Sequence, residues 1–226
     1  MMTLPNKNPC PLCHGVDTVP YHSDRARDYL NCLVCALVFV PAVQHLSQAE
    51  EKAEYDRHDN QPEDPGYRRF LNRLYEPLNQ CLAPGSRGLD VGCGPGPTLS
   101  VMFAEAGHSV ALYDPYYAPD RSVLDHPYDF ISLSEVVEHM AAPGRDLDCL
   151  WDSLVPGGYL GIMTKRVRDR QAFATWHYIT DQTHISFFSE KTFQWLVGRW
   201  SVAKEATSLM IVGDDVVIIC KGAAPI

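Results

Sequence analysis

The chain lacks any long apolar segment. No run among its 226 residues comes near the roughly 20 apolar residues that a membrane-spanning helix needs. The first residues, 1–7, also lack the apolar core of a secretory signal. We therefore expect no membrane partner and a cytoplasmic location.

The chain also lacks an excess of positive charge. It has 28 acidic and 19 basic side chains, which give a formal net charge of -9 at pH 7. Such a charge repels a phosphate backbone, so nucleic acid is disfavoured as the main partner. The densest basic stretch, Lys165–Arg170, includes the acid Asp169. It is typical of a solvated turn, although it could also orient an anionic substrate.

The eight cysteines lack the even spread of a disulfide framework. Four of them form two C-x-x-C pairs separated by eighteen residues, and the others are scattered through apolar surroundings. Each C-x-x-C forms a turn that aims two thiolates at one point, and two such turns complete a tetrahedral zinc site. A redox pair or unliganded core cysteines are the alternatives, but a redox pair needs no second C-x-x-C. The pattern predicts a reduced compartment and one structural zinc ion, held by Cys10, Cys13, Cys32 and Cys35.

Apolar runs alternate with helical segments from residue 83 onward. This order predicts an α/β fold with a doubly wound, mostly parallel sheet. The predicted strands are Gly88–Val91, Ser109–Tyr113, Asp129–Leu133, Tyr159–Met163 and Val216–Cys220. The predicted helices are Thr98–Ala106, Asp146–Leu154 and Glu190–Leu196.

Changes in composition divide the chain into three parts. Residues 1–45 contain the paired cysteines and read as a zinc-ribbon-like module. Residues 46–82 read as a helical linker or lid, because Ser47 and Glu50 form a capping-box pattern and a later helical period is interrupted by Pro77. Residues 83–226 contain the predicted sheet.

A glycine-rich loop joins the first strand of this sheet to the helix that follows. The segment Leu89–Pro97 reads LDVGCGPGP, and Asp114 ends the next strand twenty residues beyond Gly94. Glycines let the backbone approach a ligand closely, and a carboxylate at this distance can accept hydrogen bonds from both hydroxyls of a ribose. The context predicts a nucleoside-like cofactor.

Two common cofactor motifs are absent from this loop. A dinucleotide fingerprint needs a glycine three residues after Gly94, where this chain has Pro97. A phosphate-binding loop needs Gly-Lys-Ser/Thr, which does not follow either. Dinucleotides and nucleoside triphosphates are therefore disfavoured.

The loop instead matches the pattern Asp/Glu-x-Gly-x-Gly-x-Gly at Asp90, Gly92, Gly94 and Gly96. On these residues the chain resembles the class I S-adenosylmethionine-dependent methyltransferases, a Rossmann-like family. The segments 128–139 and 154–160 resemble the family's fourth motif and the turn before its fifth strand. The resemblance covers about residues 67–226.

The resemblance implies S-adenosylmethionine as cofactor and a seven-stranded sheet whose last strand is antiparallel. It implies that Asp90 positions the amino group of the cofactor and that Asp114 holds its ribose. The glycine backbone would run alongside the methionine part of the cofactor. Ser134 and Glu135 would lie beside the transferred methyl group. Only fourteen residues separate Asp114 from Asp129, so the usual third strand must be shortened. Tyr116 is a candidate to stack on the adenine, or an ordinary loop aromatic.

Methyl transfer is an in-line displacement, so a base is needed only when the acceptor must lose a proton. The candidates follow strand ends: Glu138 and His139 come after Asp129–Leu133, and Tyr159–Met163 is followed by Trp176, His177, Tyr178, Asp181, His184 and Ser186. Of these, His184 and His139 are the candidate catalytic residues. His184 is equally well explained by a structural hydrogen bond, and His139 by packing or by capping a turn. Tyr55 and His58 lie in the upstream segment and are candidate lid residues over the cofactor.

The function predicted from the sequence is methyl transfer from S-adenosylmethionine to a small-molecule acceptor, with an N-terminal zinc ribbon. An RNA base methyltransferase is a second possibility, which the net charge disfavours. A cofactor-binding interaction protein without catalysis is a third.

Overall fold

The computed structural model of the protein describes residues 8–57, 60–201 and 207–222. The candidate lid residue His58 lies outside this described part. The strands are β1 (Thr18–Ser23), β2 (Asp28–Cys32), β3 (Val38–Phe39), β4 (Arg87–Val91), β5 (Ser109–Tyr113), β6 (Tyr128–Ser134), β7 (Leu154–Met163), β8 (Ser186–Phe187), β9 (Ser208–Val212) and β10 (Val216–Cys220). The α-helices are α1 (Gln48–Tyr55), α2 (Pro65–Asn79), α3 (Thr98–Glu105), α4 (Pro143–Asp152), α5 (Arg170–Ala174) and α6 (Glu190–Trp200).

The large sheet has the strand order β5-β4-β6-β7-β10-β9. The first four strands are parallel, whereas β10 is antiparallel to both of its neighbours. Helices and strands alternate along the chain, so the predicted α/β fold with a mostly parallel sheet and an antiparallel last strand is confirmed.

The resemblance implied seven strands, but this sheet has six among the described residues. The difference lies between β5 and β6, where the chain forms only a 3-10 helix, Arg121–Asp125. A crossover helix alone needs about a dozen residues, so the short connection leaves no room for a further strand. The expectation of seven strands is wrong for this reason, and the predicted shortening is confirmed.

The helices begin where local sequence favours it. Ser47 and Glu50 form the predicted capping box at the start of α1. The side chain of Asp64 caps α2, whose interior contains Pro77. The leucines of α2 face the large sheet, and a Cβ at Gly161 would come within 2.7 Å of Leu78. Helix and sheet therefore pack in close contact.

A small antiparallel sheet carries the N-terminal cysteines. Its order is β1-β2-β3-β8, so the strand at one edge comes from the distant segment Ser186–Phe187. The cysteines share one hydrophobic core with residues of the large sheet such as Leu89 and Leu133. The backbone N–H of Gly144, at the start of α4, donates to the carbonyl of Pro11. The N-terminal strands are thus joined to the rest of the chain by the pairing of β3 with β8, a shared core and a backbone bond. The boundaries at residues 45 and 82 stay a prediction.

None of the helices in the described ranges combines the length and the apolar character needed to cross a membrane.

Candidate functional site

The glycine loop occupies the carboxyl end of β4, at the edge where β6 also ends. Gly92 and Gly94 have φ angles of 68° and 62°, a region that favours glycine. A Cβ at Gly92 would come within 2.5 Å of the Val136 side chain, and a Cβ at Gly96 within 1.7 Å of the Asn60 carbonyl oxygen. The glycines are therefore required by backbone conformation and by close packing.

Asp114 faces this loop from the end of β5. Its Oδ2 accepts a hydrogen bond from the Gly94 N–H at 3.0 Å. Its Oδ1 accepts from the N–H groups of Tyr116 and Tyr117 at 2.8 and 3.1 Å. The structure thus brings the predicted acid against the predicted loop, and three backbone donors fix the orientation of the carboxylate.

Asp90 is buried beneath the loop at the end of β4. The hydroxyl of Ser132 donates to its Oδ1 at 2.8 Å. Burial, with a contribution from the charge of Asp114, raises the pKa of Asp90 to about 7. Among residues 8–57, 60–201 and 207–222, no basic side chain forms an ion pair with Asp90. A cationic ligand would offset this buried charge, and S-adenosylmethionine carries both an ammonium and a sulfonium group.

Helix α1 contacts this edge of the large sheet. Glu51 accepts hydrogen bonds from the hydroxyls of Tyr55 and Tyr116, both at 2.7 Å. The Tyr55 ring also packs edge-to-face on His139, with centroids 5.3 Å apart. Two of the predicted cofactor residues, Tyr55 and Tyr116, are thereby linked through one carboxylate. The segment predicted as a lid is placed next to Asp114 and to the end of β6.

Two glutamates follow the end of β6. Glu135 has a φ of 53°, an uncommon conformation for a residue with a side chain. The hydroxyl of Tyr178 donates to Oε1 of Glu138 and lies 3.3 Å from Oε2 of Glu135. Glu135 Oε1 and Glu138 Oε2 have no hydrogen-bond partner among the described residues. Burial raises the pKa of both carboxyl groups.

The two candidate catalytic histidines lie next to each other, with ring centroids 4.7 Å apart. Nδ1 of His184 is 2.8 Å from the Tyr178 carbonyl oxygen, and Nδ1 of His139 is 3.2 Å from that of Thr183. Burial lowers the pKa of His184, which favours the neutral imidazole. Glu138 and Tyr178 belong to the wider set of candidates after the strand ends. The structure brings them into contact with each other and places the Tyr178 ring 4.1 Å from that of His184, centroid to centroid.

A cavity of about 1220 Å³ lies between the small sheet and the segment after β7. Trp176 lines it and packs on Tyr178, with centroids 4.9 Å apart. Lys165 also lines it and lies 5.6 Å above the Tyr178 ring. The cavity therefore adjoins the tyrosine that contacts both glutamates. Its other basic lining residues are Arg73, Arg166, Arg168 and Lys191.

The four paired cysteines converge as the spacing predicts. Sγ of Cys10 is 3.5 Å from that of Cys35, and Sγ of Cys13 is 3.4 Å from that of Cys32. All four sulfur atoms lie within 4.8 Å of one another. A tetrahedral zinc ion with Zn–S bonds of about 2.3 Å requires sulfur separations of about 3.8 Å. The arrangement therefore fits a four-thiolate zinc site.

Comparison with protein families finds a match. The family described as methyltransferase domain matches residues 55–199, which is more than half of the chain. No curated protein sequence matches the chain.

The solved structures to which the chain is similar share little sequence with it. Coclaurine N-methyltransferase bound to N-methylheliamine and S-adenosylhomocysteine is 16% identical, with 70% of this chain and 54% of that chain covered and a TM-score of 0.45. The plantazolicin methyltransferase BpumL is 16% identical, with coverages of 78% and 90% and a TM-score of 0.48. The 1,6-didemethyltoxoflavin-N1-methyltransferase of Burkholderia thailandensis is 16% identical, with coverages of 90% and 99% and a TM-score of 0.47.

Proposed function

The chain belongs to the methyltransferase domain family, and we propose that it transfers the methyl group of S-adenosylmethionine to a small-molecule acceptor. S-adenosylmethionine dependence follows from the family. The acceptor class rests on one observation, the cavity of about 1220 Å³ beside the carboxyl ends of the strands. Small-molecule sites are concave and occur at this edge of open α/β sheets.

We assign the cofactor contacts to the residues that surround the glycine loop. Asp114 would accept hydrogen bonds from the ribose, and Asp90 would position the amino group. The methionine part would pass the backbone of Gly92, Gly94 and Gly96. When bound, the cofactor supplies an electrophilic methyl group on its sulfonium.

The remaining contacts come from the end of β6 and from helix α1. Ser134 and Glu135 would lie beside the methyl group. Tyr116 would contact the adenine, and Tyr55 would close over the cofactor because Glu51 already joins these two tyrosines. The shielded site would exclude water and hold the acceptor in line with the methyl group.

The acceptor would bind in the cavity next to Tyr178. Lys165 and Arg168 line it and favour an acceptor that carries an anionic group. The net charge of -9 disfavours a long nucleic acid, because these basic side chains form only a local patch.

The four N-terminal cysteines would hold one structural zinc ion. Four thiolates close the coordination sphere, so the metal would stabilise the small sheet and take no part in methyl transfer. Metal analysis of the purified protein should give one zinc per chain.

The experiment combines calorimetry with a labelling screen. The protein is first titrated with S-adenosylmethionine, and a pool of metabolites and a pool of RNA are then incubated with methyl-labelled cofactor. We expect cofactor binding and label in a small molecule. Label in RNA would support a base methyltransferase, and binding without transfer a non-catalytic protein. No binding at sub-millimolar cofactor would contradict every methyltransferase function.

A further inference from the structure

Three side chains near the end of β6 offer metal-ligand atoms close together. Glu138, His139 and His184 each contribute one such atom, and the three atoms lie within 4.8 Å of one another. Glu138 is fully buried and His184 is nearly so. The backbone N–H of Ile185 donates to the Glu138 carbonyl at 2.8 Å, which fastens the two chain segments together. The cluster is therefore held by the fold.

Backbone carbonyls orient both imidazole rings. A carbonyl oxygen only accepts hydrogen bonds, so Nδ1 of His184 and Nδ1 of His139 must each carry the proton in these contacts. In the neutral form of either imidazole the lone pair then resides on Nε2. Histidines that bind metals typically donate their other ring N–H to a carbonyl or carboxylate, which fixes this tautomer.

The carboxylate of the cluster is only half satisfied. Oε1 of Glu138 accepts from Tyr178, whereas its fully buried Oε2 has no hydrogen-bond partner among the described residues. A buried oxygen without a partner is destabilising, and more so when it is charged. The Asp181 carboxylate lies 3.7 Å from Nε2 of His184 and adds a second negative group. These groups together create a site that favours a cation.

We propose that Glu138, His139 and His184 bind a divalent first-row transition-metal ion. Two imidazoles and one carboxylate suit manganese, iron, cobalt or zinc better than magnesium or calcium, which prefer oxygen ligands. This role replaces the base function that the sequence suggests for the two histidines. Three protein ligands leave coordination positions open, unlike the four thiolates of the cysteine site.

The open positions give the ion a place in the reaction, an extension that rests on the proposed function. The ion would lie near Tyr178, whose hydroxyl contacts Glu138 and whose ring packs on Trp176 in the lining of the proposed acceptor cavity. A hydroxyl group of the acceptor that binds a divalent cation loses its proton more readily. The proton would pass to solvent, and the resulting oxygen nucleophile would attack the methyl group. The new O–C bond would form as the C–S bond breaks, and the electron pair of that bond would leave with S-adenosylhomocysteine. The acceptor class would then be a hydroxyl compound.

The test measures binding of Mn²⁺ alone, without methyl transfer. The protein is dialysed against a mild chelator that spares thiolate-bound zinc and is then titrated with Mn²⁺ by electron paramagnetic resonance. Histidine NMR signals are recorded in parallel. We expect one Mn²⁺ per chain and selective broadening of the His139 and His184 signals. His126 precedes β6 at the opposite edge of the sheet, so its signal should stay sharp.

Matched variants locate the site. Glu138→Gln and His184→Asn should each weaken Mn²⁺ binding by about 100-fold or more, whereas Glu76→Gln and His126→Asn, at exposed positions, should leave it unchanged. Failure of the wild-type protein to bind millimolar Mn²⁺, or unchanged binding in both cluster variants, would overturn the proposal. If a cluster variant does not fold, the broadening of the His139 and His184 signals in the wild-type protein tests the proposal. Absence of that broadening would overturn it. Calorimetry with S-adenosylmethionine on the same samples separates loss of this site from loss of cofactor binding.

Discussion

The cysteine cluster and the cluster of Glu138, His139 and His184 both offer ligand atoms that could hold a metal ion, but they are built differently. The cysteine cluster uses four like donors from two short turns within residues 10–35. The second cluster uses a carboxylate and two imidazoles from segments more than forty residues apart. Four thiolates leave no coordination position for a substrate, whereas three ligands do. From this comparison we expect the cysteine cluster to stabilise the fold. We expect methyl transfer to take place at the carboxyl edge of the large sheet.

Removal of one thiolate should have the largest effect on stability. Cys10 is fully buried in the shared core. We expect Cys10→Ser to lose zinc and at least about 5 kcal/mol of unfolding free energy, because structural zinc contributes folding energy directly. Metal analysis and chemical unfolding measure the two losses.

The exposed Cys149 provides the matched control for this prediction. Cys149→Ser should keep both zinc and stability. If Cys10→Ser lost its zinc but unfolded at the same denaturant concentration as the wild type, zinc would have no structural role. The two clusters would then not differ in their contribution to stability.

At the carboxyl edge of the large sheet, a substitution should weaken cofactor binding and leave the zinc content unchanged. Asp114→Ala removes the proposed ribose acceptor and the acceptor of three backbone N–H groups. We expect the affinity for S-adenosylmethionine to fall about 100-fold, which corresponds to about 2.7 kcal/mol, with zinc content unchanged. Calorimetry measures the affinity.

Asp125→Ala changes an exposed acid on the same connection and should bind the cofactor like the wild type. Equal affinities for the Asp114 and Asp125 variants would remove Asp114 from the cofactor site.

The two regions also differ in how far the sequence predicts them. The cysteine site and the glycine loop with Asp114 depend on spacing and on local turns, which the sequence contains directly. The second cluster depends on long-range contacts, including the backbone bond from Ile185 to Glu138 and the pairing of β8 with β3. A two-residue strand has no periodicity to recognise, so neither the addition of β8 to the small sheet nor the partners of His184 could be predicted.

One added methyl group at the contact between helix α4 and the first cysteine turn should change the stability of the protein. A Cβ at Gly144 would come within 2.2 Å of the Leu12 carbonyl oxygen, which belongs to the first cysteine turn. We expect Gly144→Ala to reduce the unfolding free energy by about 2 kcal/mol through overpacking. Gly198 lies in α6, and a Cβ there meets no atom within 4 Å.

Gly198→Ala should therefore stabilise the protein by about 0.5–1 kcal/mol. Urea unfolding of both variants provides the comparison. If the two alanine variants had equal stability, the cysteine module would not be packed rigidly on α4, and the two regions would be independent.

The smallest effect concerns the free-energy cost of ionising Asp90, which is buried at the carboxyl edge of the large sheet. Burial raises the folded-state pKa of Asp90 to about 7 from an ordinary value of 3.8. The folded state therefore binds this proton more tightly, so the contribution to stability is complete below the ordinary pKa and is lost as the pH rises through about 7. Without cofactor, the wild-type protein should lose about 1 kcal/mol relative to Asp90→Asn between about pH 6 and about pH 7.

Thermal unfolding of the two proteins across this pH range measures that difference, with Asp125→Asn as the exposed control. Saturating S-adenosylmethionine should reduce the loss in the wild type, because a bound cation favours the ionised carboxylate. If stability depended on pH in the same way in the wild type and in Asp90→Asn, ionisation of Asp90 would not destabilise the folded protein. The buried carboxylates would then be tolerated without a cationic ligand, and the contrast with the cysteine cluster would rest on coordination geometry alone.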